Sequence, residues 1–477
     1  MSHSRTRHER GVPKPCRRLR LGQALLLAGL AGTAACTPSP PARPDIVMIS
    51  LDTLRLDRVD PDRMPNLQAI ARDAVVFDDA WAQVPFTLPS HMSVFTGLYP
   101  DVHGVDRKQA RLGERIPTLP ELLRQAGYHT VGVVTNLWMK GEFGFARGFD
   151  SYERLPYGLV YADRVNQRAL ELADGRGADD RPLFLFLHYI DPHSDFFNVD
   201  SNALPYYAPP TYLADLRVDP DSREFCDAEG NCATDFLLAA DREHRPLPAA
   251  TIERIAALYD RGVSYLDDQV GALADALRQR DLWDDSLVMI ISDHGEEFRE
   301  HGGFIHIQPY VESLAVPLLI KMPRSEHGGR HVAATVETVD YLPTLLEAVG
   351  APIPEHVQGR SLLPLVRGDA PVAEERPALG RDKLDRDRYA LRLGGFTLIH
   401  DVGTGLSELY DRRRDPQETD DLADREPSRV AALEARLAAQ LAANTELAAT
   451  LAAPPTTVAD VLTDEEAEKL RAIGYLE

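Results

Sequence analysis

Four apolar, β-branched-rich runs along the chain each end in a polar, metal-competent segment. DIVMIS leads into Leu51-Asp52, TVGVV into Thr135-Asn136, LFLFL into His188-Tyr189-Ile190-Asp191-Pro192-His193, and LVMII into Ser292-Asp293-His294-Gly295. Runs of this length read as strands buried on both faces of a parallel sheet. Ligands of open α/β sheets sit in the crevice beyond the strand carboxyl ends. Polar groups gathered along that one edge therefore predict a polar active site, because the fold alone does not need them.

Between the strands, Thr118–Ala126 and Ala256–Gln279 carry the spacing of amphipathic helices, and the alternation continues to about Val366. Residues 195–250 are polar and Pro-rich, with Phe196-Phe197 and Tyr206-Tyr207, and are expected to form an insertion over the strand ends. Those rings suit stacking on a sugar or aryl ring, and surface packing explains them equally well. Further on, Tyr389–Ile399 reads as a hairpin, an Ala/Leu-rich helix follows near 428–452, and a short one near Asp464–Ala472. The expected organisation is a signal segment over 1–36, a Pro-rich tether over 37–44 and a catalytic domain over 45–366. A small-sheet subdomain over 367–427 and a helical tail over 428–477 complete it.

Length and charge refine the picture. A chain of 477 residues calls for a large domain with an accessory region. The formal charge is -22, although the first 20 residues carry seven Arg/Lys against one Glu. Such acidity disfavours nucleic acid, which a basic patch would meet. It admits an anionic substrate only where bound cations reverse the field locally. The basic start, the apolar stretch from Leu21 to about Ala35, and Thr33-Ala34-Ala35-Cys36 resemble a bacterial secretion signal with a lipoprotein cleavage box. Thr33 stands where such a box usually has Leu, so a plain cleaved signal is the alternative. Export to the periplasmic side of a bacterial membrane, with a lipid anchor at Cys36, is the expectation. Cys226 and Cys232 bracket a polar loop, and an oxidising compartment favours a disulfide between them over a metal site.

Asp52, Asp293 and His294 are the candidate metal ligands, since adjacent Asp and His at one strand end can aim at a centre shared with a neighbouring strand. Oxygen donors plus imidazole suit Zn²⁺, Mn²⁺ or Ca²⁺. The plainer alternative makes Asp52 and Asp293 helix N-caps. Thr87-Leu88-Pro89-Ser90-His91 opens another helical segment, and a hydroxyl there beside a divalent metal can attack phosphorus or sulfur. Here too, Thr87 or Ser90 serving only as a cap is the plain reading. His188, His193, His301 and His306 stand near strand ends, where imidazole can protonate a leaving group, bind an oxyanion or ligate a second metal, for which Asp191 and His193 are spaced. His301, in a Gly-flanked loop, is the expected bystander.

Several motifs in this order resemble the sulfatase family of the alkaline-phosphatase superfamily. They are Leu51-Asp52-Thr53-Leu54-Arg55, Thr87 to Ser93 with Thr96-Gly97-Leu98-Tyr99-Pro100, Tyr259–Asp268, Ser292 to Glu296, Val316 to Ile320, and Glu408-Leu409-Tyr410-Asp411. The resemblance implies an α/β fold: a three-layer α/β/α sandwich around a large mixed sheet, with a small C-terminal subdomain bearing an antiparallel sheet. It also implies metal-dependent hydrolysis of sulfate or phosphate esters, with Asp52, Asp293 and His294 as metal ligands. Thr87 falls where sulfatases hold the cysteine or serine that becomes formylglycine. His193 matches the histidine of the family's Pro-His segment, and His306 lies near the lysine or histidine that contacts the ester. Four positions depart from the pattern. Thr87 cannot become formylglycine, His91 replaces an arginine, and Asn136 and Trp138 replace a lysine and a histidine. Related phosphodiesterases and headgroup transferases of the superfamily use threonine directly.

These readings lead to an exported hydrolase of a sulfate, phosphate or phosphonate ester, with Thr87 as nucleophile and metal ligand. His91, Asn136, His193 and His306 would bind or protonate the ester of a small-molecule, glycan or lipid substrate. Transfer of a phospholipid headgroup, and a binding protein that has lost its chemistry, are the alternatives.

Overall fold

The computed structural model describes residues 43–477 apart from 106–110, 157–160, 195–203, 207, 218–222, 370–375, 384–386, 452–460, 462 and 464–477. The signal segment, Cys36, most of the tether, Phe196, Phe197, Tyr207 and the helix expected near 464–472 lie outside the described residues. No helix among the described residues is long and apolar enough to cross a membrane.

The apolar runs form the strands predicted for them: β1 (Ile46–Leu51), β3 (His129–Val134), β5 (Leu183–Tyr189) and β6 (Leu287–Ile291). The first sheet also holds β2 (Val75–Trp81), β4 (Ser151–Arg154), β9 (Ala315–Lys321), β10 (Arg330–Val332) and β11 (Val336–Glu337). Its order is β10-β2-β9-β6-β1-β5-β3-β4, with β11 also on β2. The β6-β1-β5-β3 centre and β4 are parallel, whereas β9 runs antiparallel to both β6 and β2. The sheet is therefore mixed.

Alternation along each strand builds two cores. Ile46, Met48, Phe184, Phe186, Met289 and Ile291 join one, while Val47, Ile49, Leu185, Leu187, Val288 and Ile290 join the other. Successive side chains point to opposite faces, so a strand apolar at every position must be covered twice. Helices Ala162–Gly175 and Ala249–Arg278 cover one face; helices Thr87–Thr96 and Tyr341–Ala348 cover the other. The long helix starts seven residues earlier than its amphipathic spacing predicts, directly after Pro248. Thr118 closes a capping box with Glu121 at the head of Leu119–Gln125.

The predicted hairpin is β13 (Arg388–Leu393) with β14 (Phe396–Asp401), flanked by β12 (Ala378–Arg381) and β15 (Ser407–Asp411) in an antiparallel sheet ordered β12-β13-β14-β15. Leu391, Leu398 and Leu409 enter the same core as the Thr87–Thr96 helix. The helix Pro427–Leu451 adds Leu433 and Leu437 to it. A two-stranded ribbon, β7 (Glu297–Phe298) and β8 (Phe304–Ile305), follows the Asp293-His294 loop.

The 195–250 segment contains a helix, Thr234–Arg242, and a Cys226–Cys232 disulfide. Of the four rings, Tyr206 alone lies among the described residues, and there the packing alternative holds. Tyr206 is buried, with its ring centroid 5.6 Å from those of Tyr259 and Phe298.

Candidate active site

Strand register brings the chemistry together. Ser50 on β1 lies opposite His188 on β5 and Ile291 on β6, so Asp52, His188 and Asp293 leave the sheet along one carboxyl edge. The cap readings fail here. Asp52 precedes a short 3-10 turn whose N-cap is Arg55, and Asp293 runs toward ribbon β7-β8 instead of a helix. Phe86, not Thr87 or Ser90, is the N-cap of Thr87–Thr96, and it supplies no side-chain cap. Gly97, with φ +67°, ends that helix in the left-handed region.

The Asp293-His294 loop is tightly held. Asp293 Oδ1 accepts from the backbone N–H of Thr53 (3.3 Å) and of His294 (3.0 Å). The Ser90 hydroxyl donates to the Asp293 carbonyl at 2.7 Å, fastening the loop to the Thr87 helix. Gly295 is required by close approach, since a Cβ there would sit 1.9 Å from the Glu312 carbonyl oxygen.

His294 donates from Nδ1 to the Gly295 carbonyl at 2.9 Å, which leaves an Nε2 lone pair. Burial holds this imidazole neutral, its pKa lowered to about 3. Nε2 points at Asp293 Oδ2 (3.4 Å) and Asp52 Oδ1 (3.8 Å). All three atoms are buried and without a hydrogen-bond partner among the described residues. Each residue of the trio offers a ligand atom within 4.8 Å of the others. Orphaned buried acceptors cost about 1–3 kcal/mol each, and a divalent cation would satisfy all three at once. Burial and the Asp52 charge push the Asp293 carboxyl well above the usual range. Burial also opposes ionisation of Asp52, but His193 and the hydrogen bond from His188 outweigh it and hold Asp52 below that range.

Thr87 sits at this centre. Asn136 Nδ2 donates to Asp52 Oδ2 at 2.8 Å and lies 3.3 Å from Thr87 Oγ1, so one amide spans the hydroxyl and the carboxylate. Asn136 Oδ1 accepts from the Trp138 N–H at 2.9 Å, which fixes the amide. Trp138 itself packs edge-on against Phe86, centroids 4.9 Å apart. His188, one of the four unassigned imidazoles, donates from Nε2 to Asp52 Oδ2 at 3.1 Å. His91 lies beneath the nucleophile candidate. Its Nδ1 donates to the Thr87 carbonyl (3.0 Å) and its Nε2 accepts from the Ser50 hydroxyl (2.8 Å). Both ring nitrogens are engaged and burial lowers its pKa to about 3, so it braces the Thr87 turn instead of reaching an ester.

His193 and His306 complete the wall, with ring centroids 5.0 Å apart and His306 4.4 Å from His294. His306 Nδ1 donates to the Glu296 carboxylate at 3.2 Å. Burial, followed by the Lys383 charge, pulls its pKa well below the usual value. Asp191 is not in this cluster; its Oδ1 accepts from the Ala162 N–H at 3.3 Å. His301 is remote too, bridging Glu312 and the Glu418 carbonyl, both at 2.7 Å. Sequence reasoning missed Glu296 and Lys383. Glu296 stood within a quoted motif; Lys383, in the C-terminal subdomain, left no local signal.

A carboxylate–imidazole centre beside a helix-start hydroxyl, at the carboxyl edge of such a sheet, defines a hydrolase of sulfuric or phosphoric esters. Comparison with known proteins agrees. The family model described as Sulfatase matches residues 44–351, and the C-terminal model of N-sulphoglucosamine sulphohydrolase matches 299–446. The chain belongs to the sulfatase family. It is 30% identical over 263 residues to the multifunctional alkaline phosphatase superfamily protein PehA of Trinickia caryophylli. That similarity spans 52% of this chain and 48% of PehA, about half of each. The choline-sulfatase of Rhizobium meliloti is 25% identical over 443 residues, covering 80% of this chain and 83% of its own. The phosphonate monoester hydrolase of Agrobacterium radiobacter has the same fold, with a TM-score of 0.66, 21% identity, and 84% and 96% of the two chains covered.

Proposed function

We propose that this protein hydrolyses phosphate or phosphonate esters, with sulfate esters as the competing class, using Thr87 as nucleophile in a divalent-metal centre. One observation carries the reading: the Asn136 amide spans Thr87 Oγ1 and Asp52, whose other oxygen is one of three bare ligand atoms. Similarity to a phosphonate hydrolase and to choline-sulfatase supports both element classes. Threonine in place of a formylglycine precursor favours phosphorus.

Asp52, Asp293 and His294 would hold the cation, Ca²⁺, Mn²⁺ or Zn²⁺. When bound, it supplies positive charge to a site with two carboxylates and acidifies a nearby hydroxyl. Asn136 holds Thr87 Oγ1 beside Asp52, and His91 fixes the turn that presents it. The deprotonated Oγ1 attacks phosphorus or sulfur as the bond to the ester oxygen breaks on the far side. His306, neutral with its Nδ1 hydrogen held by Glu296, presents an Nε2 lone pair that takes the proton leaving Thr87 Oγ1, passes it to that departing oxygen and later takes one from water. His193, beside it, binds a non-bridging oxygen. Water then releases the threonyl ester.

Thr87→Ala is expected to lower turnover of an aryl phosphodiester, an aryl phosphonate and an aryl sulfate by at least about a thousandfold. Peptides from quenched wild-type turnover should carry a phosphoryl or sulfuryl group on Thr87. Undiminished turnover in the alanine variant removes Thr87 from the mechanism. Turnover of a phospholipid donor only when a glycan acceptor is added would convert the hydrolase into a transferase.

The disulfide supports a location outside the cytoplasm. A lipid anchor at Cys36 predicts that labelled palmitate is incorporated by the wild type and lost in Cys36→Ala.

A further inference from the structure

The C-terminal sheet approaches the active-site edge through β12 and the residues after it. Strand β12 runs beside the segment before the nucleophile helix, where the Arg381 N–H donates to the Gln83 carbonyl at 2.9 Å. Arg381 itself is committed elsewhere, with its guanidinium 2.8 Å from Asp101. Two residues on, the Lys383 N–H donates at 3.0 Å to the carbonyl of Ile307, the residue after His306. The Lys383 side chain is buried at 7% exposure, and Nζ lies 5.3 Å from the ring centroid of Phe86, the residue before Thr87. An ammonium thus stands between the two segments that carry the proposed nucleophile and the proposed acid.

This location meets a need. Asn136 is an uncharged amide turned to Asp52, and both ring nitrogens of His91 are hydrogen-bonded within the protein, to the Thr87 carbonyl and the Ser50 hydroxyl. The ester group nevertheless brings anionic oxygens, and charge accumulating on them in the transition state requires a fixed counter-charge. We propose that Lys383 is a substrate-binding residue whose ammonium takes an anionic non-bridging oxygen of the ester group, a charge contributed by the C-terminal subdomain. The inference rests on the ester-hydrolase reading of the same site.

The test uses full-length protein loaded with Mn²⁺, carrying Lys383→Met, Lys383→Gln or Lys383→Arg. Calorimetric binding of inorganic phosphate and sulfate is measured beside kcat and KM for an aryl phosphodiester, with Mn²⁺ content and Tm as controls. Loss of the ammonium should weaken phosphate binding about tenfold or more and lower kcat/KM about a hundredfold. Lys383→Arg should recover part of both, with Mn²⁺ content unchanged in all three. The glutamine variant decides the matter if methionine prevents folding. Phosphate binding in Lys383→Gln equal to wild type overturns the assignment, as does wild-type protein that binds neither anion. Protein that hydrolyses no ester but binds phosphate in a Lys383-dependent way keeps Lys383 and discards the hydrolase. Hydrolysis with phosphate affinity indifferent to residue 383 does the reverse.

Discussion

Two clusters of acids and imidazoles lie a few residues apart, and they differ in how their lone pairs are satisfied. In the cluster behind the active-site loop, Glu297 Oε1 accepts from the Ile307 N–H (3.0 Å) and the Gln308 N–H (2.7 Å), and Oε2 from the Gln308 side chain (2.9 Å). His301 donates to Glu312 and to the Glu418 carbonyl, and stacks on Tyr310 with centroids 3.6 Å apart. In the strand-end cluster, Asp52, Asp293 and His294 each turn one bare atom toward a common point. Both clusters hold buried carboxyls, so burial of charge does not mark function. What separates them is that one is closed by protein donors and the other is left open for a cation.

The largest break in this comparison comes from the open cluster. Asp293→Ala should abolish stoichiometric divalent metal and lower turnover by at least about a thousandfold, read by elemental analysis beside the aryl phosphodiester assay. Metal retained at wild-type stoichiometry would place the cation elsewhere, and folded wild-type protein that never bound metal would favour a binding protein without chemistry.

The closed cluster should respond in stability instead. His301→Gln removes a largely buried, doubly held imidazole and is expected to cost about 2–3 kcal/mol, seen as a lower Tm, with kcat little changed. Burial alone would depress His301, but Glu312 outweighs it and lifts the pKa to about 9. A raised folded pKa contributes stability that is complete below the unfolded value of about 6.5 and fades as pH climbs through about 9. The wild type should therefore lose Tm between pH 7 and 9.5, and His301→Gln should flatten that slope. A parallel slope in both proteins would contradict this.

The smallest effect sharpens the contrast. Burial, then the Glu312 charge, raises Glu297 to about 8, so it is largely protonated at pH 7. Glu297→Gln should shift stability by less than about 1 kcal/mol near pH 4, leave metal content intact, and gain stability relative to wild type as pH rises from about 4.5 to about 8, where the unfolded glutamate ionises and the buried one keeps its proton, with no further gain above pH 8. A large loss at pH 7 would show that Glu297 works as a carboxylate.

The sheet centre was legible because its strands are apolar at every position and each ends in chemistry. Asp52, Asn136, His188 and Asp293 could be read as one edge from the sequence alone. The antiparallel run of β9 was not legible from its apolar pattern, which is the same in either direction; only the family resemblance implied a mixed sheet. Which lone pair each residue presents was also hidden. His91 and His294 are both buried imidazoles near a strand or helix end, yet the carbonyl of Thr87 and the hydroxyl of Ser50 engage one, and the Gly295 carbonyl frees Nε2 of the other. Such outcomes depend on angstrom-scale backbone placement. Lys383 was invisible for a different reason: it reaches the site through packing of the second sheet, far along the chain.

The central claim is most directly tested by diffraction from Mn²⁺-loaded crystals at the manganese absorption edge. The account predicts one anomalous peak bounded by Asp52 Oδ1, Asp293 Oδ2 and His294 Nε2, with Thr87 Oγ1 facing it. A peak between His91 and His188 instead, or no peak in protein that turns over substrate, would contradict it.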